Sequence, residues 1–202
     1  MRLYYSPGAC SLSPHIVLRE INCDFALERV DNASKKTETG RDFLAINRKG
    51  YVPALQLGDG AVLTEGAAIV QYLADSKPDA KLAPAPGTME RVRLQEQLNF
   101  IASELHNAFT PLFSDTALES EKAAAPARIA RRFDNVEAML ADGRPHLLGD
   151  DFSVADIYLF VVVSWTKPTG IGLERWPHLR AHYDRMAARP AVQAAMQAEG
   201  LN

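Results

Sequence analysis

The chain has 202 residues, 47% of them hydrophobic and 23% charged, with 22 basic against 25 acidic side chains and a net charge of −3. That composition excludes disordered, collagen-like and disulfide-framework classes, and a chain of this length buries roughly 70% of its unfolded surface, enough for a core without metal or staples. The absence of a basic excess argues against nucleic acid as a partner.

The longest apolar run, Ile157 to Val163, is far shorter than the ~18 residues of a membrane span, so no membrane association is expected. Pro7 and Gly8 interrupt the position where a signal peptide would carry its apolar stretch. A cytoplasmic, reducing location is the expectation, which disfavours a disulfide between Cys10 and Cys23.

In chain order, Arg2 to Tyr5 is a short strand candidate ended by Ser6-Pro7-Gly8, and Leu12, Ile16 and Val17 then recur at helical spacing to about Ile21. Phe25 to Val30 alternates like a second strand, and a polar stretch from Asp31 to Arg41 precedes a short helical piece at Phe43 to Ile46. Val52 to Leu57, the turn Gly58-Asp59-Gly60, and Ala61 to Leu63 read as a β-hairpin. Thr64-Glu65 opens a helix from Gly66 to about Ala74. The expected order is β-α-β, a short helix, then β-β-α.

Residues 76 to 87 carry three of the twelve prolines and few large apolar side chains, which marks a linker. Beyond it β signals vanish. Helical periodicity runs through Met89 to about Thr116, where Leu94, Leu98, Ile101, Leu105 and Phe109 form one stripe and Pro111 ends or kinks the helix. Further helices are expected at Ala123 to Ala141, Val154 to about Ser164, and from Pro177 onward. The plan is a small α/β domain joined to an all-α one.

Cys10 follows a strand and a Pro-Gly turn at the start of the first helix, where free backbone N–H groups favour an anion, so its thiol pKa is expected below ~8.5. Cys10-Ser11-Leu12-Ser13 has C-x-x-C spacing with the second sulfur replaced by serine, which leaves single-thiol chemistry or the holding of another molecule's thiol. The competing reading is a buried small hydrophobe. For Cys23, in a loop entering a strand, that structural reading is preferred.

Pro53 at a strand start is an edge proline or a cis site. Glu65 opposes a helix macrodipole or receives a ligand ammonium. Asn99, Ser103 and His106 follow one another at i, i+4, i+7, on one helix face away from the apolar stripe. Ser153-Val154-Ala155-Asp156 has the spacing of a capping box, with Phe152 and Ile157 placed as a hydrophobic staple.

Taken together, Ser6-Pro7-Gly8-Ala9-Cys10-Ser11, Val52-Pro53 before a hairpin, Thr64-Glu65-Gly66-Ala67-Ala68-Ile69, the proline-rich linker and Gly149-Asp150-Asp151-Phe152-Ser153-Val154-Ala155-Asp156 resemble the bacterial beta class of glutathione S-transferases. The resemblance implies a thioredoxin-like α/β domain (βαβ-α-ββα) over 1–78 that binds glutathione, a linker over 79–86, and an all-α helical bundle over 87–202. It further implies glutathione conjugation to a hydrophobic electrophile in a cleft between the domains, without a metal, in a homodimer.

By the same resemblance Val52 pairs with the cysteinyl part of glutathione beside cis-Pro53, Glu65 and Gly66 receive its γ-glutamyl end, and Lys35 lies near its glycyl carboxylate. Cys10 and His106 stand at the sulfur, with Asn99 and Ser103 beside them, and Glu104 reaches the partner subunit's ligand. Asn107 departs from relatives that carry lysine there. Two other readings stay open: a thiol-disulfide reductase or reductive dehalogenase working through a Cys10 mixed disulfide, and a non-catalytic ligand-binding or regulatory protein on the same fold.

Overall fold

The computed structural model describes residues 1–201, which divide into two compact units: Met1–Ala83 with residues 189–201, and Pro84–Ala188. The expected division puts 87–202 in one domain, whereas the last helix groups with the first unit. Arg189-Pro190 breaks the helix expected from Pro177 onward into α9 (Pro177–Ala187) and α10 (Pro190–Glu199), since proline cannot supply the N–H that a continuous helix needs.

In the first unit β1 (Arg2–Tyr5) lies parallel to β2 (Ala26–Asp31) and antiparallel to β4 (Ala54–Gln56), which pairs antiparallel with β5 (Val62–Thr64). A two-residue strand, β3 (Lys36–Thr37), adds antiparallel to β2 within the stretch expected to be irregular, giving the sheet order β3-β2-β1-β4-β5. The helices are α1 (Leu12–Glu20), α2 (Phe43–Ile46) and α3 (Gly66–Ser76). This is a thioredoxin-like mixed sheet.

Strand alternation decides which face each side chain covers. Tyr4 packs with Phe43 of α2, ring centroids 5.7 Å apart, alongside Val30, Val52 and Ala54. Tyr5 points to the other face, toward His15 of α1. Tyr4 is fully buried and its hydroxyl accepts from Arg41 at 2.9 Å, so this ring serves the core.

α10 returns to α1 through a buried polar contact. Glu199 accepts the Gly8 N–H at 3.0 Å and pairs with His15 Nδ1 at 2.8 Å, while Arg19 Nε donates to His15 Nε2 at 3.0 Å. An Nε2 that accepts leaves the His15 proton on Nδ1, so Glu199 receives it. The loop carrying Cys10 is thereby tied to the last helix.

The second unit is helical, as expected. α4 (Met89–Phe100) runs into a π-helical stretch at Ile101–His106, a short α5 (Asn107–Phe109) and a 3₁₀ turn at Thr110–Phe113. α6 (Glu119–Leu140), α7 (Val154–Ser164) and the short α8 (Thr166–Thr169) follow, and α9 packs on α6 and α7. α7 is buried from Val154 to Val163, which explains why that segment is the most apolar run in the chain.

The start of α7 is a capping box. Asp156 Oδ2 accepts from Ser153 N and Oγ, both at 2.9 Å, and Ser153 Oγ accepts from Ala155 N at 3.3 Å. Asp156 Oδ1 also accepts from Leu147 N at 2.8 Å and His182 Nε2 at 2.9 Å. The donor atoms of His146, Asp156 and His182 lie within 4.8 Å of one another. Four donors already converge on the carboxylate, and among the described residues His182 Nδ1 lacks the second partner that ligating imidazoles usually have, so the cluster acts as a reinforced cap. No helix among the described residues is long and apolar enough to cross a membrane.

Candidate functional site

Three segments of the first unit converge at one end of the sheet, beyond Tyr5 of β1, Ala54 of β4 and Thr64 of β5. Ser6-Pro7-Gly8-Ala9 ends β1 in a turn in which Ala9 N donates to Ser6 O, and Ser11 Oγ braces it by accepting from Ser6 N at 3.1 Å. Cys10 lies just before α1 and its thiol donates to the Val52 carbonyl at 3.3 Å. The Val52-Pro53 peptide is cis, and both residues are buried. A Cβ built on Gly66 would lie 3.8 Å from Pro53 Cγ and 3.9 Å from Ser13 Oγ, so the start of α3 abuts the same loop.

The Cys10 pKa expectation is corrected. Burial pushes the thiol up to about 12, and the negative charge of Glu65 adds to that; the amides of Cys10 and Ser11 pull the other way without prevailing. The sequence places a helix start at Cys10, but α1 begins two residues later, and desolvation outweighs the backbone dipoles. At neutral pH Cys10 is a thiol and a donor. Cys23 is also free, its sulfur 3.6 Å from the Asp24 carbonyl.

Glu65 sits at φ +69°, a left-handed value unusual for a residue with a β-carbon, and its side chain does not cap α3. Instead the exposed carboxylate pairs with Lys49 Nζ at 2.6 Å, and Lys49 also donates to Thr64 Oγ1 at 3.1 Å. The pairing of Lys49 with Glu65 is a contact that sequence reasoning missed. The two lie sixteen positions apart, and only the hairpin brings them together. Lys35, at φ +56°, donates to the Gly50 carbonyl at 2.9 Å and lies over the Tyr51 ring at 5.5 Å.

In the second unit, the π-helical stretch changes the expected face. Bonding from i to i+5 advances each residue by less than the ~100° of an α-helix, so Asn99, Ser103 and His106 do not keep their α-helical offsets. Ser103 Oγ donates to the Asn99 carbonyl at 2.8 Å, and Glu104 pairs with Arg132 at 2.8 Å. His106 Nδ1 lies 3.0 Å from the Tyr158 hydroxyl, and the ring meets Trp165 edge-on at 4.7 Å. Burial pushes the His106 pKa below its usual value, keeping the imidazole neutral at physiological pH.

Residues 8–76 match the model for the glutathione S-transferase N-terminal domain, and residues 100–190 match the model for the C-terminal domain. The chain belongs to the glutathione S-transferase family. It is 47% identical to glutathione S-transferase GstA of Escherichia coli O157:H7, covering all of both chains. It superposes with a TM-score of 0.97 on the bacterial beta-class enzyme of Sphingomonas chungbukensis, at 49% identity over the full length of both. A sphingomonad glutathione S-transferase solved with bound glutathione is 48% identical over the full length of both, with a TM-score of 0.95. The chain is therefore a glutathione transferase of the bacterial beta class.

Proposed function

We propose that this glutathione transferase binds glutathione in extended form along the first unit and joins its sulfur to apolar electrophiles. The observation that carries the reading is the convergence of the Cys10 thiol, the Val52 carbonyl and the Glu65-Gly66 helix start at one end of the sheet. Glutathione brings an ammonium, two carboxylates and a thiol. Glu65 receives the ammonium, the Gly66 amide and Lys35 take the carboxylates, and Val52 pairs with the cysteinyl backbone.

Cys10 serves as a hydrogen-bond donor to the glutathione sulfur. A thiol with a pKa near 12 is poorly suited to open a disulfide or to attack carbon, which favours conjugation over the mixed-disulfide reading. The protein works as a homodimer in which Glu104 of one protomer reaches its partner's ligand, after release from Arg132. Catalysis consists of stabilising the thiolate and holding it against the electrophile; the sulfur–carbon bond forms as the leaving group departs and the thiol proton passes to solvent.

Calorimetric titration with glutathione, paired with conjugation assays on wild type and Cys10→Ala, tests the reading. Micromolar to millimolar binding with partial survival of conjugation in Cys10→Ala is expected. Absence of glutathione binding overturns the whole reading. Complete loss of conjugation in a folded Cys10→Ala protein transfers the work to Cys10 and the mixed-disulfide mechanism.

A further inference from the structure

Glu28 of β2 is a buried acid of the first unit that takes no part in the convergence at Cys10. Strand alternation turns it to the same face as Val30, and the residue is only 2% exposed, a position where an unpaired carboxylate is costly. Its Oε1 accepts from Thr39 Oγ1 at 2.6 Å, and its Oε2 pairs with Arg2 at 3.0 Å and Arg41 at 3.7 Å. Burial pushes the carboxyl pKa up, yet the Thr39 and Thr37 hydroxyls and the two guanidinium groups prevail and hold it below its usual value.

Arg2 apart, these partners belong to one segment, 35–43. Thr39 Oγ1 lies 3.0 Å from Thr37 Oγ1, which also accepts from the Arg41 amide at 3.2 Å. Thr37 N donates to Arg41 O at 3.0 Å and Phe43 N to Lys35 O at 2.8 Å, so the segment closes on itself at its base. Lys35 opens it. The left-handed φ of +56° at Lys35 is unfavourable for a residue with a β-carbon, and its N donates to Asp31 O at 2.9 Å. From that backbone its Nζ reaches the Gly50 carbonyl, a bond that uses one of the three N–H donors of an ammonium.

We propose that Glu28 is a positioning residue for the glycyl end of glutathione: through the Thr39 and Thr37 hydroxyls its buried carboxylate fastens the segment 35–43 to β2, and so holds Lys35 in the backbone form that presents its ammonium to the glycyl carboxylate. The inference rests on the proposed role of Lys35 and adds what keeps that side chain in place. A lysine on a loose surface loop loses backbone and rotamer freedom each time it captures a carboxylate. A segment anchored from the inside, with the ammonium already resting on Gly50, has lost part of that freedom before the ligand arrives.

Calorimetry with glutathione and with its C-terminal amide, in which a neutral group replaces the glycyl carboxylate, isolates this subsite. Wild type is expected to prefer glutathione about ten- to a hundredfold. Thr39 is exposed, so Thr39→Val removes the hydroxyl without disturbing the core. It should cut the preference about three- to tenfold by weakening glutathione alone, with KM for glutathione raised and kcat at saturation unchanged. Thr39→Ser keeps the hydroxyl and should retain the wild-type preference. Glu28→Gln keeps the shape, removes the charge and should cut the preference as well; if that variant does not fold, Thr39→Val carries the test.

A purely structural Glu28 would lower the melting temperature, or weaken both ligands equally, and leave the preference intact, which overturns the proposal. A Thr39→Ser protein that behaves like Thr39→Val overturns it too, because the hydroxyl would then not be the link. Lys35→Met separates the two levels. If wild type shows no preference, or Lys35→Met leaves the preference in place, the assignment of Lys35 to the glycyl carboxylate fails. If Lys35→Met abolishes the preference while Thr39→Val and folded Glu28→Gln keep it, only the positioning role of Glu28 fails.

Discussion

Glu65 and Asp156 both stand at a helix start, and in the sequence both look like ordinary acidic residues facing a helix dipole. In the folded chain they are opposites. Asp156 is fully buried, has regular helical geometry and accepts four hydrogen bonds. Glu65 has a side chain 68% exposed, a left-handed backbone and one cationic partner, and does not cap its helix. A carboxylate whose acceptors are all satisfied inside the fold belongs to stability. One held in an unfavourable backbone conformation with its oxygens toward solvent is available to a ligand.

The contrast breaks if stability and binding do not separate between these residues. Asp156→Ala leaves the amides of Leu147 and Ser153 and the His182 imidazole without their acceptor. A loss of about 3–5 kcal/mol is expected in urea unfolding, with turnover per folded molecule unchanged. Equal stability would mean the cap carries nothing. Glu65→Gln should do the reverse: the unfolding midpoint stays within about 0.5 kcal/mol of wild type, while glutathione binding weakens about 10- to 100-fold by calorimetry, as for loss of a charged hydrogen bond.

A smaller effect sharpens the comparison. Lys49 competes for Glu65 with an incoming ammonium, so Lys49→Met is expected to tighten glutathione binding about two- to fourfold, in keeping with an exposed pair worth at most about 1 kcal/mol. The gain should shrink as salt is added. Weaker binding would make Lys49 part of the glutathione site.

The smallest expected effect is on Cys10. Because the charge of Glu65 helps hold the thiol up near 12, Glu65→Gln should lower that value and speed alkylation of Cys10 at pH 8 severalfold. The sign for stability follows from linkage. The Cys10 pKa is raised in the native state, so its contribution is complete below the unfolded value near 8.5 and is lost as pH rises toward 12. Wild-type stability should therefore fall across that alkaline window.

Much of this was legible in the sequence, for reasons that differ by residue. The hairpin after Pro53, the Ser153 box and the buried Val154–Ser164 helix all follow from local chemistry: a proline and glycine placement, a four-residue spacing, an unbroken apolar run. β3 was not legible, because two residues in a polar stretch become a strand only by pairing with β2. The π-helical stretch is equally hidden, since Leu98, Ile101 and Leu105 recur with α-helical spacing and all three are buried.

The candidate site divides in the same way. The convergence of Cys10, Val52 and Gly66 was expected through resemblance, because its members lie in three segments more than ten residues apart. The neutral Cys10 thiol was not, because a helix start is visible in a sequence while the degree of desolvation is a property of the packed chain. Lys49 at Glu65, Arg132 at Glu104 and Tyr158 at His106 are likewise products of tertiary structure.

The return of α10 to α1 has a consequence for how the protein is made. Glu199 supplies the acceptor for both Gly8 N–H and His15, at sequence separations of 191 and 184 residues. A ribosome synthesises the first residues of this unit long before it reaches those that complete it. Until Glu199 emerges, His15 and the loop before Cys10 lack their carboxylate, and the helical second unit, whose segments are contiguous, has everything it needs to fold first. The half of the molecule that begins the chain is the half that finishes last.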